Sequence, residues 1–120
     1  MKPVCQELKS AFRKNEVVCA RVNHLFHLFS NKGRFRIVCL LARGEFSVNE
    51  ITEVVDEGKT SSVSQHLKML TLSGIIQRRR EDTRIFYSLR DKRIAKMIEF
   101  LQKEFLTKLT AEPEQVNIRP

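Results

Sequence analysis

Three cysteines, three histidines and an arginine-rich run are the groups in this 120-residue chain whose chemistry could be put to use. Cys5, Cys19 and Cys39 contain no C-x-x-C pair and are too irregular for a disulfide framework. In a reducing compartment such cysteines are either buried apolar fillers or thiol sensors. Cys39 is the most suggestive, because Arg36 and Arg43 stand three residues before it and four after. Cations at helical spacing would lower its pKa and favour the reactive thiolate. His24 and His27 could share a helix face with Cys19 within two turns of them. A tetrahedral metal would still need further ligands from elsewhere, so neither a metal site nor a cofactor is expected. The chain also lacks a glycine-rich phosphate loop and a carboxylate pair set among apolar residues. An enzyme is therefore the least expected class.

The elements that must position chemistry are clearest from Lys59 to Leu89, KTSSVSQHLKMLTLSGIIQRRREDTRIFYSL. Thr60, Ser61 and Ser62 open a helix, and Val63, Leu67 and Leu70 recur at the spacing of one helical face. Gly74 ends that helix. Ile75, Ile76 and Gln77 begin a strand, Arg78 to Arg84 form a charged tip, and Ile85 to Leu89 return as a second strand. A helix with short polar side chains outward, followed by a basic hairpin, predicts a winged helix-turn-helix: mainly α, with a small β-hairpin wing. Thr60, Ser61, Ser62, Ser64, Gln65 and Lys68 are then the candidate DNA-facing residues of the helix. Hydroxyls and a carboxamide can read base edges. Arg79, Arg80 and Arg84 are the candidate wing contacts, adding salt-dependent affinity for phosphate. His66 is expected to pack inward or cap the helix beside Leu67.

Charge agrees with that reading. Net charge is +8, and residues 59–90 hold seven basic against two acidic side chains, an excess that favours a polyanion partner. No apolar run approaches the roughly 20 residues needed to span a bilayer. Nor does the start have an apolar core of signal-peptide length. A cytoplasmic protein that does not engage membranes is expected.

Three divisions are predicted: a partly helical extension over 1–15, the winged helix-turn-helix domain with its dimerisation helices over 16–110, and a flexible tail over 111–120. Residues 4–29 read as helical, with a weaker patch over 4–13 and with Val18, Val22, Leu25, Phe26 and Phe29 on one face. A short apolar helix follows from Arg34 to Ala42. Ser47 with Glu50 three residues on forms a capping box for the next helix, and Asp56-Glu57-Gly58 is the turn of the helix-turn-helix. Asp91 begins a last helix whose Ile94, Met97, Ile98, Leu101, Phe105 and Leu109 form a stripe too apolar for so small a domain to bury alone. A homodimer seam shared with the first long helix is its expected use.

This order, carrying LFHLFSNKGRFRIVCLL, GEFSVNEI, SSVSQHLKMLTLSGII and RIFYSL, resembles the ArsR/SmtB family of bacterial winged-helix repressors over about residues 16–109. The resemblance implies a homodimer seated on an imperfect inverted repeat of double-stranded DNA and released by an inducer. By position, Thr60, Ser61, Ser64 and Gln65 match the groove-facing residues. Asn31-Lys32-Gly33 stands where the family usually has an Asp-Pro-Thr-like turn. Positions of the family's thiolate metal site fall on Ser47 and Asn49. Those of its zinc site fall on Asp91, Arg93, Glu104 and Thr107, which do not make a ligand set. The segment around Cys39 is similar to a thiol-sensing branch that pairs this cysteine with one in the last helix and responds to reactive sulfur or oxidants. That second position is Leu106 here, so a bridge would draw on Cys19 or Cys5, and a single-thiol modification needs no partner. Cys39 with Cys19 is thus the candidate sensor pair. Alternatives are a regulator of the same fold sensing a metal or small ligand elsewhere, and a winged-helix protein-interaction module without its own operator.

Overall fold

The computed structural model describes residues 1–55 and 60–106. Helices α1 (Pro3–Lys14), α2 (Glu16–Phe29) and α3 (Lys32–Leu41) lead to a two-residue strand β1 (Phe46–Ser47). Helices α4 (Val48–Val55) and α5 (Thr60–Leu72), the hairpin β2 (Ile76–Glu81) and β3 (Arg84–Leu89), and α6 (Lys92–Leu101) follow. A π-helical turn, Gln102–Leu106, extends α6. The expected helix-turn-helix turn at Asp56-Glu57-Gly58 and the tail lie outside the described residues.

The core gathers side chains from five helices and the wing: Leu28, Ile37, Ile51, Leu67, Ile76 and Ile98 are completely buried. On α5 the inward row is Val63, Leu67 and Leu70, the three- and four-residue spacing read from the sequence. Gly74 closes α5 with φ 78. Its N–H donates to the Thr71 carbonyl at 3.0 Å and the Ile75 N–H to Leu70 at 3.1 Å. This is the paired arrangement that caps a helix C-terminus through a left-handed residue, where glycine carries no Cβ penalty. The buried side chains of Leu70 and Ile75 supply its apolar contact.

The capping box of α4 forms reciprocally. Ser47 Oγ accepts from the Glu50 N–H at 3.2 Å, and Glu50 Oε1 accepts from the Ser47 N–H at 2.8 Å. Asn31 caps α3 by accepting from the Arg34 N–H at 3.0 Å. The neighbouring Gly33 admits His66 from α5. A Cβ there would sit 2.7 Å from His66 Nε2, so any side chain at 33 would force the His66 ring to move. His66 is half-buried, on the inner side of the recognition helix.

Three features differ from the sequence expectation. The helix over 4–29 is interrupted at Asn15, whose φ of −113° and ψ of 33° leave the helical region while its side-chain amide donates to the Ala11 carbonyl at 2.8 Å. Asparagine's competing local hydrogen bonds account for such a break. The sheet has three strands in the order β1-β3-β2, all antiparallel. The added strand pairs Phe46 with Tyr87 and Ser47 with Phe86, a segment too short to show alternation. The regular last helix ends at Leu101 and widens into the π turn; Leu109 lies outside the described residues.

Candidate nucleic-acid interface and thiol pocket

Because α5 is anchored by Val63, Leu67 and Leu70, its opposite side is left outward. Ser64, Gln65 and Lys68 are exposed and Ser62 is half-buried. Thr60 and Ser61 open the helix, their side chains outside the described residues. Gln65 and Lys68, three apart, lie next to one another on the helix surface.

The wing is tied together more tightly than its charge run suggests. In β2, Arg79 stands opposite Phe86 of β3. The guanidinium carbons of Arg79 and Arg84 lie 4.9 and 5.0 Å from the Phe86 ring centroid, a cation–π arrangement. Arg79 also grips Glu45 with two hydrogen bonds, 2.7 and 3.1 Å, and reaches Glu81 at 3.0 Å. These contacts hold Glu45 below the usual carboxylate range and raise Arg79. Arg79 is therefore a brace between the wing and the segment after α3, with two carboxylates already on its charge. Arg80 donates to the Asp82 carbonyl at 3.0 Å, across a hairpin in which Asp82 takes a positive φ of 55°. Arg78, Arg80 and Arg84 are exposed, and no ion pair among the described residues occupies any of them.

Sequence reasoning missed Glu45 and Phe86. The brace spans 34 residues, and only the register that puts Phe86 under Arg79 could have announced it.

Cys39 sits on α3 with 4% of its surface exposed, along a pocket of about 470 Å³ between α3 and α4. The expectation of a lowered pKa is overturned here. Burial pushes the thiol up to about 11, against the smaller opposing effects of Arg43 and the Gln102 amide. Arg36, expected to help, is exposed and does not contribute. Desolvation disfavours the thiolate more than one cation can offset. The Gln102 amide nitrogen is buried beside this site without a well-formed hydrogen bond. Cys19 is half-buried on α2, Cys5 is exposed on α1, and all three cysteines are free thiols, so the structure does not join Cys39 to Cys19.

His24 Nε2 lies 3.4 Å from Ser73 Oγ, and Asp91 caps α6 while accepting two hydrogen bonds, 2.7 and 3.0 Å, from the Arg93 guanidinium. Asp91 is held low by that partner. Among the described residues, no group of three or more His, Cys, Asp or Glu side chains is placed to hold a metal ion. No described helix is long and apolar enough to cross a membrane.

Residues 31–78, from the cap of α3 into the wing, match the sequence pattern of the bacterial regulatory protein ArsR family. The biofilm growth-associated repressor of Xylella fastidiosa (strain Temecula1) is 36% identical over 95 residues, covering 79% of this chain and 78% of that protein. The chain belongs to the ArsR family. Its fold is that of reduced HlyU from Vibrio cholerae, with a TM-score of 0.71 at 30% identity, over 83% of this chain and 99% of that one. The chain is also similar to the homodimeric winged helix-turn-helix DNA-binding domain from Mycobacterium bovis, with a TM-score of 0.66 at 26% identity over 75% of this chain and 82% of that one. These ArsR-family relatives and this fold are those of DNA-binding transcriptional regulators, not of enzymes.

Proposed function

We propose that this chain is a homodimeric repressor that holds an imperfect inverted repeat of double-stranded DNA and releases it when Cys39 is modified by reactive sulfur or an oxidant. The observation that carries the DNA half is the division of α5, apolar and buried on one side, with Ser64, Gln65 and Lys68 exposed on the other beside the arginine wing. Thr60, Ser61 and Ser62 complete its reading end, with Arg80 and Arg84 on flanking phosphate. Two copies explain why Val18, Val22 and Phe26 line the outside of α2, exposed and four residues apart. A fixed spacing of two recognition helices is what an inverted repeat requires.

Cys39 supports the sensing half by its position rather than by its acidity. Its thiolate would attack one sulfur of an organic polysulfide. That S–S bond breaks, the other sulfur departs as a thiolate or perthiolate, and Cys39 is left in a mixed disulfide or trisulfide with the organic group. The enlarged side chain would press on Gln102 and α3. It would then displace α5 through the tight Gly33–His66 contact, shifting the population towards a form that no longer fits both half-sites. Because a pKa of about 11 leaves roughly one thiolate in 10⁴ at pH 7, the reaction is slow and base-accelerated. In a chain with Cys5→Ser and Cys19→Ser, alkylation by iodoacetamide is expected to quicken about tenfold per pH unit from 7 to 10. A plateau below pH 9 would contradict the buried thiol.

The deciding experiment is fluorescence anisotropy on DNA from the protein's own upstream region, reduced and then treated with an organic tetrasulfide, with intact mass taken on the same samples. Lowered affinity with a sulfur adduct, both abolished by Cys39→Ser, is expected. Equal binding before and after treatment would make Cys39 a core filler.

A further inference from the structure

The pocket between α3 and α4 has a second character besides its thiol. Its floor is apolar, formed by Phe35, Leu40, Val54 and Val55, and its size falls within the range of small-molecule sites. Val54 is 65% exposed, although it lies beside Val55 on a helix whose Ile51 and Val55 are buried. Lys32 and Arg36 on α3, and Arg43 in the turn after it, stand round this floor. A spacing of four residues keeps Lys32 and Arg36 along one side of that helix. All three are exposed, and none has an ion-pair partner among the described residues. The wing arranges its charges differently: there Arg79 is neutralised by Glu45 and Glu81. Like charges four apart on a helix repel, so Lys32 and Arg36 favour an anion between them.

We propose that the α3–α4 pocket binds an amphipathic organic anion, a carboxylate with an apolar tail, its charge on Lys32 and Arg36 and its tail over Phe35, Leu40, Val54 and Val55. The site goes beyond the thiol chemistry proposed above and does not require it. Binding is non-covalent, and Cys39 contributes only part of the wall. The carboxylate stays ionised at neutral pH, and its head group remains near water where the cations are exposed. The tail covers the valine that is otherwise left in solvent.

The test is isothermal titration of the full, reduced chain with decanoate below its micelle concentration, beside decyltrimethylammonium as the cation of matching tail. Decanoate is expected to bind saturably and the cation not to bind. The double change Lys32→Glu and Arg36→Glu should weaken decanoate at least tenfold. Val54→Trp, which fills the pocket from a position already in solvent, should abolish binding with an unchanged thermal unfolding curve. No saturable decanoate binding, equal binding of the cation, or undiminished binding by both variants would overturn the proposal. A second copy of the chain seated on the groove would appear as the first of these outcomes. Failure here leaves the response of DNA binding to tetrasulfide untouched, so the two readings fall separately.

Discussion

The outer side of α5 with the wing and the outer sides of α1 and α2 are both exposed, yet they expose opposite chemistry. The first presents Ser64, Gln65, Lys68, Arg78, Arg80 and Arg84. The second presents Val4, Leu8 and Phe12 on α1 and Val18, Val22 and Phe26 on α2, each set in steps of four. Hydrated cations and amides cost nothing in water, and they gain when they displace counterions from a polyanion. Aligned apolar side chains lose by staying wet, and a small protein rarely leaves so much of such surface uncovered. Under the proposed function the difference divides the work: one side would meet DNA, and the other would fix the distance between two copies of the first.

The sharpest way to break this comparison is to charge the apolar side. Phe26 is 66% exposed, so Phe26→Glu should leave each protomer folded while burying an unpaired carboxylate twice in the proposed seam. A central aromatic contact is commonly worth about 2–4 kcal/mol, so sedimentation should show monomer at concentrations where the parent chain is dimeric. Operator affinity should fall on the order of 100-fold, since one half-site then binds alone. A variant that remains dimeric and binds normally would place the seam elsewhere.

The DNA side is tested by Gln65→Ala. A good bidentate base contact is worth about 1–3 kcal/mol, so specific affinity should fall by roughly 5- to 150-fold with little change on an unrelated fragment. Equal loss on both DNAs would mean that Gln65 touches backbone and that the bases are read by its neighbours.

What could be read from the sequence follows from how local each signal is. The α5 period, the Ser47–Glu50 box and the Gly74 terminus are encoded within a turn or two, and the structure forms each as expected. The α1–α2 break showed in the sequence only as a weaker patch over 4–13, because Asn15 is a weak interruption among good helix formers. The third strand was hidden because Ser47, read as a cap, also pairs with Phe86. The acidity of Cys39 was not legible for a different reason. Its neighbouring arginines are visible in sequence, whereas the burial that outweighs them comes from the packing of α3 in the core. The Arg79 brace has the same origin, since Glu45 meets it only once the sheet forms.

That brace gives the smallest and most discriminating test within the DNA side. Arg79, Arg80 and Arg84 are equivalent in a charge count, but Arg79 is already engaged by two carboxylates. Each phosphate neutralised by a free arginine contributes about 0.9 to the slope of log affinity against log salt. Arg80→Ala should reduce that slope by nearly this amount, whereas Arg79→Ala should change it by less than half as much. Glu45→Gln removes the bidentate partner and leaves only the single contact to Glu81, so it should steepen the slope and tighten binding to unrelated DNA. The opposing possibility is physical too. Exposed ion pairs are worth only about 0–1 kcal/mol, so phosphate could draw Arg79 away from Glu45 when DNA arrives. In that case Arg79→Ala would match Arg80→Ala in slope, and the brace would be a resting place for a DNA contact rather than a fixed part of the wing.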